Sequence, residues 1–146
     1  MGAQQGEPGM SPLKAFIVED SALIRDNLVA ALEEMVPLKV VGTAEDEASA
    51  LSWLSEPAHE CDIAIVDIFL RRGTGLNVLR ALQGARRSTE RVVLTNYATE
   101  EIRRHALALG ASRVFDKSGE IDALVEHCIA LADANNLAGR EQPGAA

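Results

Sequence analysis

Residues 15–20 read AFIVED, and residues 63–67 read IAIVD. Each is a short apolar run that ends on acidic side chains. Two later runs also end on polar or charged groups, RVVLT at 91–95 and RVFDK at 113–117. In an open parallel sheet the carboxyl ends of all strands lie along one edge, where ligands bind. If these runs are such strands, three carboxylates, a hydroxyl and an ammonium converge at that edge: Glu19, Asp20, Asp67, Thr95 and Lys117.

The remainder of the chain alternates between strand and helix patterns about five times. We predict strands near residues 15–18, 39–43, 63–67, 91–95 and 113–116, and helices near 21–35, 46–55, 76–82, 99–109 and 120–134. Such alternation is typical of an α/β fold with a doubly wound parallel sheet, and right-handed crossovers leave few topologies. The order 2-1-3-4-5 is common for five strands, and it places Asp20 beside Asp67.

Length and composition indicate one globular domain. The chain has 146 residues, 47% of them hydrophobic, which suffices for one core but not for two. We place the domain at residues 13–134, between a flexible N-terminal tail at 1–12 and a flexible C-terminal tail at 135–146. No apolar stretch approaches the ~20 residues of a membrane helix, and no secretory signal is visible.

The cysteines and the net charge indicate which cellular compartment and which class of binding partner to expect. Cys61 and Cys128 show no CxxC spacing, so we expect two reduced thiols in a cytoplasmic protein. The formal net charge of −8 argues against direct nucleic-acid binding, which depends on Lys and Arg neutralising phosphates. A protein is therefore the expected partner, and the chain itself is expected to be a monomer or a weak homodimer.

The predicted acid cluster has a specific chemistry. Carboxylates about 4–6 Å apart repel one another unless a cation compensates them, and oxygen ligands at a wet strand edge suit Mg²⁺. Asp67 is then the candidate nucleophile for a phosphoryl group. Lys117 and Thr95 are the candidates for binding phosphoryl oxygens. The alternative for each acid alone is a helix cap, as Asp20 could provide for the first helix.

The sequence resembles the receiver domain of two-component response regulators over roughly residues 13–134. The resemblance lies in Glu19-Asp20, in Asp67 with Gly75, in Thr95, and in Gly110-Ala111 leading to Lys117. It implies a flavodoxin-like fold and phosphotransfer to Asp67 from a histidine kinase or a histidine phosphotransfer protein. It also implies Mg²⁺ held by Asp20, Asp67 and the backbone carbonyl of Phe69, with Glu19 acting through water.

Three departures from the family pattern concern the surroundings of the site. Arg71 stands where a proline is common, and Ser118 follows Lys117 where the family usually has proline. The aromatic position of the family's switch is Val114, so the predicted switch region is Thr95 with Val114, and Phe115 is expected to face the other side of the strand. The loop around Gly73 resembles receivers that stand alone, without an output domain.

Two other functions remain as alternatives. The first is a phosphohydrolase of the haloacid dehalogenase type, which would need a second aspartate where Phe69 stands. A dinucleotide-binding domain fits less well, because Glu19-Asp20-Ser21 stands where it would need a glycine-rich turn. A phosphate-independent interaction module on the same fold is the second alternative.

Phe69 and Tyr97 are expected to flank the site and to hinder hydrolysis of an acyl phosphate. Candidates for contacting the unidentified downstream target lie on the fourth helix: Arg103, Arg104 and His105.

Overall fold

The computed structural model describes residues 11–86 and 88–140, in which strand and helix alternate five times. The strands are β1 (Leu13–Val18), β2 (Leu38–Ala44), β3 (Ile63–Val66), β4 (Glu90–Thr95) and β5 (Arg113–Asp116). The helices are α1 (Ala22–Met35), α2 (Glu47–Leu54), α3 (Gly75–Ala85), α4 (Glu100–Ala108) and α5 (Ile121–Arg140).

The five strands form one parallel sheet in the order β2-β1-β3-β4-β5, which confirms the predicted fold. Val18 at the end of β1 pairs with Val66 at the end of β3, and Val66 pairs in turn with Val93 of β4. The three central strands therefore end close together. This register brings the residues that follow β1 and β3 to the same edge of the sheet.

Hydrophobic side chains cover both faces of the sheet. All four residues of β3 are buried, as expected for a central parallel strand between two helical layers. One cluster, which includes Phe115 and Leu32, packs with α1 and α5. The other, which includes Val114 and Leu79, packs with α2, α3 and α4. Val114 and Phe115 thus lie on opposite faces of the sheet, as the alternation of a strand predicts.

Polar residues begin four of the helices. The side chains of Ser21, Asp46, Thr74 and Thr99 each accept a hydrogen bond from a backbone N–H in the first turn of α1, α2, α3 and α4. These bonds satisfy donors that the helix itself leaves unpaired. They also set where each helix starts relative to the strand before it.

The last helix is longer than the predicted span of 120–134, because α5 continues to Arg140. Asn135 and Asn136 lower helix propensity only slightly, and no proline follows until Pro143. The predicted C-terminal tail of 135–146 is therefore helical over residues 135–140, and its remainder lies outside the described residues. The predicted N-terminal tail of 1–12 also lies outside them, except for Ser11 and Pro12.

Both cysteines are buried and unpaired within the described ranges. Burial, with a smaller contribution from the negative charge of Glu90, raises the pKa of Cys128 to about 12. Burial likewise raises the pKa of Cys61. Both side chains are thus protonated thiols at neutral pH. Among the helices that the structure describes, none has the length and apolarity required to cross a membrane.

Gly75 allows α3 to start directly against the end of β3. Its N–H donates to the Ile68 carbonyl at 2.9 Å. A Cβ atom at this position would lie 2.1 Å from the Asp67 carbonyl oxygen, closer than any real contact. Since the obstacle is backbone, the strand and the helix would have to move apart to accommodate a side chain.

We predict that Gly75→Ala lowers the free energy of unfolding by at least about 2 kcal/mol, because the new methyl group overlaps the backbone after β3. The control is Gly84→Ala in the same helix, where a Cβ meets nothing within 4 Å. That change is expected to raise stability by ~0.5 kcal/mol through helix propensity. Urea unfolding curves measure both variants. Equal stability of the two variants would contradict the prediction.

Candidate functional site

The five predicted site residues line one cleft of about 150 Å³ at the carboxyl edge of the sheet. The backbone ladder positions three of them. The Glu19 N–H donates to the Ala44 carbonyl, the Asp67 N–H to the Val18 carbonyl, and the Lys117 N–H to the Thr95 carbonyl, at 2.9–3.0 Å. Each residue is therefore the first one beyond its strand and is held by the neighbouring strand.

Three carboxylates meet in this cleft. One oxygen atom from each of Glu19, Asp20 and Asp67 lies within 4.8 Å of the others. Glu19 and Asp67 are buried, whereas Asp20 is partly exposed. Negative charges at such distances repel strongly when they are removed from water. The cluster therefore needs a compensating cation.

Lys117 supplies positive charge directly to this cluster. Its Nζ atom lies 2.5 Å from Glu19 Oε1 and 2.8 Å from Asp67 Oδ2, and all three side chains are less than a tenth exposed. Burial by itself would lower the pKa of Lys117, but the hydrogen bonds and charges of Asp67 and Glu19 outweigh it and raise the pKa above its usual value. The ammonium is thus retained at neutral pH.

Backbone N–H groups bind other oxygens of the cluster. Phe69 N–H donates to Asp67 Oδ1 at 3.2 Å, Ser21 N–H to Glu19 Oε2 at 3.0 Å, and Arg71 N–H to Asp20 Oδ2 at 2.7 Å. Both Glu19 oxygens are thereby engaged within the protein, one by Lys117 and one by Ser21.

The donor set fits a hard divalent cation. The carboxylates of Asp20 and Asp67 converge from neighbouring strands, and Asp20 is open to solvent. Mg²⁺ prefers oxygen ligands, keeps several waters and is usually bound by one or two carboxylates. The cleft offers this combination of carboxylate oxygens and access to water.

Thr95 lies at the base of the cleft and is fully buried. Its Oγ1 accepts a hydrogen bond from Tyr97 N–H at 3.4 Å. A hydroxyl that accepts one bond still carries a hydrogen to donate. Thr95 can therefore donate to an anion that enters beside Asp67 and Lys117.

Phe69 and Tyr97 form an aromatic pair over the cleft. Their rings meet edge to face with centroids 5.2 Å apart, and the residues are 48% and 62% exposed. Both residues line the same cleft as the acid cluster. The structure thus brings together the two flanking residues that the sequence predicted.

The arginine that we placed among the target-binding candidates instead contacts the neighbouring strand. Arg103 Nε donates to the Ala98 carbonyl at 3.2 Å, and its Nη1 donates to the Val114 carbonyl at 3.0 Å. Its Nη2 lies 3.8 Å from Glu120 Oε1. One side chain of α4 therefore joins the loop after Thr95 to β5 and to the start of α5. Sequence pattern contains no signal for these contacts, because they depend on the packing of α4.

Comparison with known proteins agrees with this geometry. The response regulator receiver domain family matches residues 15–129 of the chain. Protein-glutamate methylesterase/protein-glutamine glutaminase 5 of Anaeromyxobacter dehalogenans is 34% identical over 143 residues, which are 94% of this chain and 39% of that protein. The DNA-binding transcriptional activator DevR/DosR of Mycobacterium tuberculosis is 33% identical over 100 residues, which are 68% of this chain and 45% of that protein. The chain thus spans less than half of either relative.

Solved structures of the same kind share the fold. The signal receiver domain of the response regulator NarL from Mycobacterium tuberculosis has a TM-score of 0.74 at 25% identity, covering 84% of this chain and 98% of that one. The response regulator domain of Thermotoga maritima CheB has a TM-score of 0.71 at 20% identity, covering 86% and 96%. Together with the family match over most of its length, the sheet order and the acid cleft show that this chain belongs to the response regulator receiver domain family.

Proposed function

We propose that the chain is a phosphorelay switch in which Asp67 accepts a phosphoryl group from a histidine kinase or a histidine phosphotransfer protein. The observation that carries the proposal is the buried ammonium of Lys117, 2.8 Å from Asp67 Oδ2 within a cluster of carboxylates. A carboxylate in this setting is held in place by the groups that bind its two oxygens. Beside it, Lys117 and Thr95 provide donors for an incoming anion.

The transfer exchanges one bond to phosphorus for another. A carboxylate oxygen of Asp67 attacks the phosphorus, the bond from phosphorus to the donor histidine nitrogen breaks, and the electron pair stays on that nitrogen. The product is an acyl phosphate on Asp67. Lys117 and Thr95 donate to the phosphoryl oxygens as the charge on them is redistributed.

A bound Mg²⁺ would be held by Asp20, Asp67 and the backbone carbonyl of Phe69, with Glu19 acting through water. When bound, the ion supplies positive charge that offsets the charge of the phosphoryl oxygens. Asp20 supports this assignment because it is the most exposed of the three acids and lies next to Asp67.

We further propose that the output of the switch is protein contact, through a surface that includes α4 and β5. The net charge of −8 makes direct nucleic-acid binding by this chain unfavourable. The switch region is assigned to Thr95 and Val114, which Arg103 connects through the loop after Thr95. We place the chain in the cytoplasm as a monomer or a weak homodimer, with reduced thiols at Cys61 and Cys128.

The direct test is incubation with Mg²⁺ and acetyl phosphate, followed by intact-protein mass spectrometry. We expect the mass of one phosphoryl group to be added to the wild-type chain and not to Asp67→Asn, because an amide cannot form the acyl phosphate. Asp133→Asn, on the exposed face of α5, is the charge-matched control and should be labelled like the wild type. Sustained hydrolysis of phosphate esters would favour a phosphohydrolase instead, and absence of labelling would favour an interaction module.

A second prediction concerns the cation of the cluster. Lys117→Met should lower the free energy of unfolding in Mg²⁺-free buffer by about 3–5 kcal/mol, because it leaves buried carboxylates without their partner. Mg²⁺ should then stabilise the variant more than the wild type, as a substitute positive charge. Lys14→Met, which breaks the exposed 3.6 Å pair with Glu60, is the control and should cost under ~1 kcal/mol. Equal stabilisation by Mg²⁺ in all three proteins would refute the interpretation that Lys117 compensates the charge of the carboxylates.

The stability difference between the wild type and Lys117→Met is expected to depend on pH. Since the pKa of Lys117 is higher in the folded protein than its usual 10.5, the stabilisation by its charge is fully present below about pH 10.5. It is lost as the pH rises through the folded value. The stability difference between wild type and Lys117→Met should therefore be constant through the neutral range and shrink only under strongly alkaline conditions. Urea unfolding in a series of buffers measures it.

A third prediction concerns the lifetime of the acyl phosphate. The double variant Phe69→Ser with Tyr97→Ser should lose its phosphoryl group several-fold faster, because small polar side chains admit water to the cleft. Leu107→Ser removes an apolar side chain that is 51% exposed on α4 and serves as the control. The rate is followed by mass spectrometry after removal of acetyl phosphate. A decay rate equal to that of the wild type would show that the aromatic pair has no such role.

A further inference from the structure

The loop between β3 and α3, residues 68–74, is folded back on itself beside the cleft. Phe69 and Thr74 face each other in an antiparallel bridge. The Thr74 hydroxyl donates to the Ile68 carbonyl at 3.3 Å, and Gly75 N–H donates to the same carbonyl at 2.9 Å. The position of Phe69 is thereby tied to the position of Thr74 across the loop.

Glu47, the first residue of α2, binds this loop through its side chain and its backbone. Its Oε1 accepts a hydrogen bond from Thr74 N–H at 3.0 Å, and both its oxygens accept from Asn77 Nδ2 at 3.1–3.2 Å. Its own N–H donates to the Arg72 carbonyl at 3.1 Å. One half-buried carboxylate therefore connects α2 to the loop and to the first turn of α3.

The contact between Glu47 and the loop is close as well as polar. Gly73 has a φ of +83°, and a Cβ added there would lie 2.3 Å from Glu47 Cβ. Only glycine adopts such a backbone conformation readily. Its missing side chain is what lets the loop approach α2 closely enough for Thr74 N–H to reach the carboxylate.

We propose that Glu47 is a positioning residue for the metal site. By binding Thr74 it restricts Phe69, whose N–H donates to Asp67 Oδ1 and whose carbonyl is assigned to Mg²⁺ above. This inference rests on the proposed function, since it concerns the affinity of the same site. Groups that orient a metal ligand without touching the metal commonly affect affinity by 10–100-fold.

The test is titration of Mg²⁺ alone into three variants, followed by calorimetry. We expect Glu47→Ala to raise the Kd for Mg²⁺ about tenfold and Glu47→Gln to raise it about threefold, since a neutral acceptor makes a weaker bond. Ser49 forms a capping box with Asp46 at the start of the same helix, and its hydrogen bonds are made there rather than to the loop. Ser49→Ala is therefore the control. It should leave the Kd for Mg²⁺ unchanged although it lowers stability.

A second readout does not depend on the metal. In Mg²⁺-free protein the Thr74 amide should exchange its hydrogen faster in Glu47→Ala and Glu47→Gln than in Ser49→Ala, because its acceptor has been removed or weakened. If Glu47→Ala does not fold, the Glu47→Gln variant decides both measurements. Wild-type affinity for Mg²⁺ in the folded Glu47 variants would overturn the inference while leaving the proposed function intact. Failure of the wild-type chain itself to bind Mg²⁺ would overturn both.

Discussion

The ion pair of Lys117 with Glu19 and Asp67 is the interaction on which the site depends. Three acids at the ends of β1 and β3 would repel one another. The single ammonium of Lys117, directly after β5, offsets part of that repulsion. The cluster keeps a net negative charge even so. The carboxylates can therefore stay close together in the folded protein without a metal ion. Their net negative charge still attracts cations.

The sheet makes this arrangement possible because its order brings distant parts of the sequence together. Asp67 and Lys117 are 50 residues apart in sequence, and both follow parallel strands held by their neighbours' carbonyls. Apolar clusters on both faces keep the strand ends in register. Gly75 then starts α3 without separating it from β3. Packing far from the cleft therefore contributes to the geometry of the carboxylates.

Sequence patterns were sufficient for the sheet and for the members of the cleft, since apolar runs mark buried strands and parallel strands end at one edge. They were insufficient where a contact depends on packing between helices. Glu47 and Arg103 lie on helix surfaces, and nothing in their sequence neighbourhood distinguishes them from solvated side chains. The end of α5 was also missed, because asparagine disfavours a helix too weakly to stop one.

The fork of bonds made by Arg103 constrains how α4 can move. A guanidinium has a rigid, planar set of donors, and here two of them are directed at carbonyls on separate segments, Ala98 and Val114. Ala98 lies just before the cap residue of α4, whereas Val114 lies in β5. A displacement of α4 relative to β5 would therefore break the bond to the Val114 carbonyl, so one side chain connects the position of the helix to the end of the strand.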